Sequence, residues 1–167
     1  MKKTFLKNKK NIQFLIIGLG LIGGSVAKRL SKNGFEILAI EKNKSHLNFA
    51  KTSKILNGSL EKIDSTKKLF VVVALPPKIL LRNFDKYLDL FHKADFVTDC
   101  TSVKGPLINI IKKNRLESKF ILSHPIAGSE KSGFLNSNED LFRDKISIIS
   151  KHKGLANSTL QKCQELW

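Results

Sequence analysis

Short apolar runs alternate with amphipathic stretches along almost the whole chain. Residues 13–17, 37–40, 69–74, 96–98, 120–122 and 146–149 are compact runs dominated by Val, Ile, Leu and Phe, and each predicts a strand. The run at 69–74 is the strongest, six apolar residues bounded by Pro76-Pro77, because proline cannot continue a hydrogen-bonded ladder. Helical periods lie between the runs. Ile22, Val26 and Leu30 share one face of a helix predicted over 21–33, and Gly34 suits the left-handed stop after it. A short helix is predicted over 45–53 and another over 107–113. Leu80, Phe84, Leu88 and Phe91 form one stripe of a single helix after the third strand, and Leu160, Cys163 and Trp167 form the stripe of a last helix. Strands that are apolar throughout imply a sheet covered on both faces. Strand and helix in alternation imply parallel strands joined by crossovers. The pattern predicts an α/β fold with a doubly wound, mostly parallel sheet.

Length and composition narrow this picture. A chain of 167 residues, 41% hydrophobic and 26% charged, is one folded domain and not a disordered or collagen-like chain. Only Cys100 and Cys163 are present, which excludes a disulfide framework and fits a reducing, cytoplasmic setting. The net charge of +16 raises the question of a nucleic-acid partner. The basic residues, however, are lysines in ones and twos along the whole chain, with arginine only at Arg29, Arg82, Arg115 and Arg143. Nucleic-acid readers favour arginine, aromatic platforms and a charge stripe on one element. The lysines read as a solvated surface, with no nucleic acid as partner.

The amino terminus has the outline of a secretory signal, basic over residues 1–10 and apolar over 14–24. That apolar run is shorter than the roughly 20 residues a membrane span needs. It also carries glycines in a fixed pattern that cleavage would destroy. The reading is therefore a flexible basic tail over 1–11, a dinucleotide-binding domain over 12–167, and no membrane partner.

The glycines spell Gly18-Leu19-Gly20-Leu21-Ile22-Gly23 between the first strand and the first helix. In that context Gly18 serves the tight turn, Gly20 lets backbone approach a pyrophosphate, and Gly23 lets helix and strand pack closely. The opening N–H groups of the helix face the phosphates. Glu41 closes the second strand, 18 residues after Gly23, where an acidic residue accepts hydrogen bonds from the adenosine ribose. A carboxylate there repels a 2′-phosphate, so NAD is favoured over NADP, although Lys42 and Lys44 beside it pull the other way.

Two polar clusters follow consecutive strands. Asp99-Cys100-Thr101-Ser102-Val103-Lys104-Gly105 comes first, and the segment from Ser123 to Gly133 comes second. Ligands of this fold collect outside the carboxyl ends of the strands, so both clusters converge on the glycine turn. Each has two readings. Ser102 is either a cap for the helix beginning near Lys104 or a substrate contact. His124 is either a satisfied strand-end histidine or a catalytic one. His46, His92 and His152 read as surface residues, and no metal-ligand spacing is present.

The strings GLGLIGGSVA at 18–27, DCTSVKG at 99–105 and SHPIAGSEKSG at 123–133, with the Pro76-Pro77 loop, resemble the prephenate dehydrogenase family, which includes arogenate and cyclohexadienyl dehydrogenases. The resemblance runs from about residue 12 to 167. It implies NAD-dependent oxidative decarboxylation of prephenate or arogenate in tyrosine biosynthesis. By resemblance His124 is the catalytic histidine and Ser102 the serine on the same ring hydroxyl. Gly18, Leu19, Gly20, Leu21, Ile22, Gly23, Glu41, Leu75, Pro76 and Ser102 make up the implied cofactor set. Lys104 reads as a first-turn surface residue, and Glu130 as either a partner of His124 or a solvated side chain. Family members carry a further helical domain that forms the dimer and supplies substrate contacts. The stripe of Leu160, Cys163 and Trp167 accordingly reads as apolar surface expecting a partner. The alternative expectation is a dinucleotide-binding module with no independent activity, dimeric only when a helical domain is supplied.

Overall fold

The computed structural model describes residues 5–58, 60, 63–128 and 130–167. The first four residues of the expected tail and Ser129 of the second polar cluster lie outside the described residues. Six strands, β1 (Ile12–Ile17), β2 (Glu36–Ile40), β3 (Lys68–Val73), β4 (Phe96–Asp99), β5 (Phe120–Pro125) and β6 (Ser147–Ser150), form one sheet in the order β2-β1-β3-β4-β5-β6. All neighbours pair in parallel except β6, which runs antiparallel to β5. From β1 the chain goes to one side for β2 and crosses to the other for β3. That reversal opens a crevice at the carboxyl end of β1.

The helices are α1 (Leu21–Lys32), α2 (Lys44–Thr52), α3 (Pro77–Asn83), α4 (Leu88–Lys93), α5 (Gly105–Lys113) and α6 (Asn157–Leu166). Successive strand residues point to opposite faces, and the two faces feed two separate cores. Phe14, Ile16, Phe70, Val72, Phe96 and Ile121 pack with Val26 and Leu30 of α1 and Cys163 of α6. Leu15, Ile17, Val71, Val73, Val97 and Phe120 pack with Leu80, Phe91, Leu107 and Ile111 of α3, α4 and α5. Edge-on phenylalanines knit the first core, with Phe14 5.2 Å from Phe35 and 5.4 Å from Phe70 between ring centres. The doubly wound, mostly parallel α/β fold is the one the pattern predicts.

Three expectations change. Residues 5–11 are no loose tail: Phe5–Lys7 and Lys9–Asn11 are 3₁₀ turns. Leu6 packs against the first core, and its N–H donates to Glu165 Oε2 at 3.1 Å, so α6 holds the segment down. The single helix expected after β3 is broken into α3, a 3₁₀ turn over Phe84–Tyr87, and α4. Asn83 supplies the reason: its Nδ2 donates to the Ile79 carbonyl at 2.8 Å, a side-chain bond that competes with the helical ladder. Phe84 and Phe91 are buried nonetheless, because the turn keeps both rings on one side.

The stripe on α6, expected as free apolar surface, packs against the first core of this same chain. Cys163 is fully buried, Trp167 stacks edge-on against Phe142 at 5.3 Å, and the indole N–H donates to Ser123 Oγ at 3.0 Å. Of the three histidines read as surface residues, His92 is exposed. His152 is half-buried with Nε2 2.8 Å from the Phe120 carbonyl, and His46 lies over Phe134.

Burial pushes the Cys163 thiol up to about 12. A free thiol ionises near pH ~8.5, so below that both folded and unfolded chains keep the proton and the stabilisation is complete. Between there and 12 the unfolded chain ionises first, and stability falls as pH rises. We expect Cys163 to resist a disulfide reagent at pH ~8 in the native chain and to react only in denaturant, as read by peptide mapping. Fast native labelling of Cys163 would mean that α6 is not docked.

Candidate functional site

The turn from β1 to α1 is built by exclusion of side chains. Gly18 has φ +95°, and a Cβ on it would stand 2.7 Å from the Ala74 carbonyl oxygen at the end of β3. A Cβ on Gly23 would stand 1.9 Å from Gly18 O. These contacts press the first turn of α1 onto β1 and β3. At Gly20, by contrast, a Cβ would meet nothing within 4 Å. Gly20 is the N-cap of α1, no side chain caps that end, and the first helical N–H groups have no intrahelical partner. A bare backbone, open space and a helix's positive end together suit a diphosphate.

Glu41 stands half-buried just past β2 and ties this turn to its neighbour. Oε2 accepts the Leu19 N–H at 2.6 Å, and Oε1 accepts the Asn43 N–H at 2.7 Å. Leu19 itself is fully buried, so it supports the turn from beneath. Each carboxylate oxygen retains a lone pair for a hydroxyl donor.

A cleft of about 360 Å³ lies at this edge. Gly20, Leu21 and Ile22 form one wall, Ala74, Leu75 and Pro76 another, and Lys131, Ser132 and Gly133 face them, with Cys100 also lining it. The facing segment is docked on α1. Ser25 Oγ accepts the Asn138 N–H at 2.9 Å, and Lys28 Nζ donates to Ser137 O at 2.7 Å. A side chain at Gly24 would meet Phe134 at 2.7 Å, so the glycine lets this segment approach. The second polar cluster was expected at the glycine turn, and Lys131, Ser132 and Gly133 are its end; the docking of residues 134–138 on α1 was not, and the glycine at position 24 is its signal.

His124 lies near the end of β5 and Ser102 in the loop after β4; neither lines the cleft, and His124 is linked to it through Cys100. His124 is half-buried, and its Nδ1 lies 3.3 Å from the Cys100 carbonyl oxygen. A carbonyl oxygen only accepts, so Nδ1 carries the proton of the neutral ring and Nε2 keeps its lone pair. Ser102 is exposed and does not cap α5, whose N-cap is Lys104. The capping reading of Ser102 is thereby removed. Glu130 is exposed.

Lys104 is not the surface residue it was expected to be. Its Nζ reaches back to Asp99 Oδ2 and to Ser123 O, each at 2.6 Å. Asp99 is fully buried and also accepts from the Thr101 N–H at 3.0 Å and from the Thr101 hydroxyl. Burial lowers the Lys104 pKa, and the Asp99 carboxylate opposes that shift. Burial, reinforced by the same carboxylate, pushes the Cys100 thiol well up, so it stays protonated near neutral pH. Among the described residues no group of three metal-ligating side chains comes together, and no helix is long and apolar enough to cross a membrane.

Residues 26–167 match the family described as "Prephenate dehydrogenase, nucleotide-binding domain". Prephenate dehydrogenase of Lactococcus lactis is 28% identical over 145 residues, covering 83% of this chain and 41% of that protein. The crystal structure of prephenate dehydrogenase from Aquifex aeolicus with hydroxyphenyl propionate and NAD+ superposes with a TM-score of 0.78 at 29% identity, covering 93% of this chain and 56% of that one. Arogenate dehydrogenase of Synechocystis shares the fold with a TM-score of 0.77 at 24% identity, over 92% of this chain and 55% of that one. The chain spans about half the length of these relatives or less. It belongs to the family of prephenate dehydrogenase nucleotide-binding domains.

The two inner glycines separate stability from binding. Gly23→Ala forces backbone apart and should cost about 1–3 kcal/mol, read as a lowered midpoint in urea. Gly20→Ala should leave that midpoint within about 1 kcal/mol while weakening nucleotide binding about tenfold or more, because the methyl enters the space next to the helix end. Equal nucleotide affinity in Gly20→Ala would remove the assignment of that space.

Proposed function

We propose that this chain is the cofactor-holding part of an NAD-dependent prephenate or arogenate dehydrogenase of tyrosine biosynthesis, working in the cytoplasm. The observation that carries the reading is the His124 ring. Its Nδ1 is engaged by the Cys100 carbonyl, no hydrogen bond to its Nε2 is made among the described residues, and Cys100 lines the cleft that the glycine turn opens. Family membership and the NAD+ held by the Aquifex relative support the choice of cofactor.

The residues present fit a dinucleotide. The N-terminal end of α1 with Gly20 would hold the diphosphate, Glu41 would accept from the ribose hydroxyls, and Leu75 and Pro76 would pack along the cleft wall. NAD, when bound, supplies the oxidant that accepts a hydride from the ring carbon bearing the hydroxyl. The chain's own part is proton handling and orientation. His124 Nε2 takes the hydroxyl proton as the C–O bond gains carbonyl character. The new carbonyl is an electron sink into which the ring carboxylate departs as carbon dioxide. The imidazolium then returns the proton to the phenolate oxygen left behind, so atoms and charge balance. Ser102, exposed at the end of β4, orients the hydroxyl and forms no covalent bond.

Glu41 favours NAD over NADP, since its charge repels a 2′-phosphate. Titration of the purified chain with both should show NAD bound at least several-fold more tightly; equal affinity would remove Glu41 from the ribose site. His124→Asn should lower prephenate-dependent NADH formation by about 10²–10⁴-fold and leave NAD affinity nearly unchanged. The assay is run on the chain alone and with the remaining region of the protein supplied. Binding of NAD without turnover in either setting would favour the second reading, a dinucleotide-binding module with no activity of its own. Undiminished turnover in His124→Asn would overturn the catalytic assignment.

A further inference from the structure

The ends of β4 and β5 are joined by more than their ladder. One ammonium, Lys104 Nζ, donates both to the last residue of β4 and to the residue before His124, at 2.6 Å each. From the other side the Ser123 N–H donates to Asp99 Oδ1 at 3.3 Å, and Ser123 Oγ donates to Asp99 O at 2.6 Å. Ser123 Oγ also lies 2.8 Å from Thr98 Oγ1. The Asp99 side chain is fully buried, while that of Lys104 is 20% exposed.

Stability alone gives no reason for such a pair. Replacing a buried ion pair by apolar side chains of similar volume is often neutral or better, because desolvating two charges offsets their attraction. What the pair does, and apolar packing does not, is set the position of one strand end against the other through directed bonds. That position matters at one contact. Cys100 directly follows Asp99, His124 directly follows Ser123, and the Cys100 carbonyl meets His124 Nδ1 at 3.3 Å. A bond already that long is lost with a further displacement of a few tenths of an ångström.

From this geometry we infer that Asp99 and Lys104 are positioning residues for His124. They hold the Cys100 carbonyl against Nδ1, keep the neutral ring's proton there, and leave the Nε2 lone pair free. An unconstrained imidazole prefers the opposite tautomer, with its proton on Nε2, and in that form the atom facing the substrate is a donor and not a base. The consequence for catalysis rests on the proposed function; the tautomer itself is a property of this chain.

The test reads the tautomer directly. A long-range proton–nitrogen-15 correlation spectrum of the histidine-labelled chain is recorded at a pH where the imidazoles are neutral, with His124 identified by the signals missing from His124→Asn. The wild-type ring should be protonated on Nδ1. In Lys104→Met, and in the double variant Asp99→Asn/Lys104→Met that leaves no unpaired buried charge, the ring should shift to mainly the Nε2-protonated form while circular dichroism stays native. A wild-type ring protonated on Nε2 overturns the inference, as does retention of the Nδ1 form in a folded variant. Failure of both variants to fold overturns it too, since the pair would then be a requirement of the fold and not of the ring. The measurement needs neither NAD nor prephenate. Retention of the Nδ1 form in a folded variant therefore leaves the proposed function standing, a wild-type ring protonated on Nε2 also removes His124 as its base, and correct tautomer control in a chain that turns nothing over counts against that function alone.

Discussion

The turn after β1 works because three backbones meet there with no side chain between them. Gly23 sits on the Gly18 carbonyl and Gly18 on the Ala74 carbonyl, at separations a Cβ would violate. The Gly18 N–H also donates to Ile40 O, and the Ala74 N–H to Ile17 O, both at 2.8 Å. The ends of β2, β1 and β3 are thereby locked into one surface, from which the amino end of α1 projects. Any widening of this junction would move the helix end, the Leu19 N–H held by Glu41 and the Leu75–Pro76 wall together. The site is in this sense a property of the backbone, and the side chains are added to it.

The two-core arrangement makes that junction rigid. Residues of β1 and β3 alternate between opposite cores and are almost all fully buried, so neither strand can tilt without opening a void on one face. A parallel strand buried on both sides has no soft direction. The edge strand β6 differs: it is antiparallel and only partly buried, with Ile148 half in solvent opposite His124. The ligand edge is thus stiff at the glycine turn and becomes more open towards β5 and β6, where His124 stands.

Much of this was legible in the sequence. Six apolar runs gave six strands, and the glycine spacing between the first run and the first helical period located the turn, because both signals are local. What stayed hidden depends on contacts distant along the chain. Leu6 reads as part of a basic tail until Glu165, at the other end of the chain, accepts its N–H. Lys104 reads as a first-turn lysine until its ammonium is found on the Asp99 carboxylate at the end of β4. The break at Asn83 turns on a side-chain bond that no hydrophobic periodicity records. The α6 stripe is apolar in either reading, and pattern alone does not distinguish a face that packs on its own sheet from one that packs on a partner.

The charge excess looks different once the acidic groups are placed. Glu41 is committed to two backbone N–H groups and Asp99 to Lys104 and Thr101, while Glu36, Glu139 and Asp140 pair with Lys67, Lys32 and the arginines Arg29 and Arg143. Part of the acidic charge is therefore paired locally, and the excess of lysine over acidic residues gives the molecule a net positive field. Such a field acts over about 8 Å at physiological ionic strength, which makes it a means of gathering anions near the surface rather than of recognising them. The proposed ligands, a dinucleotide diphosphate and a ring dicarboxylate, are both anionic.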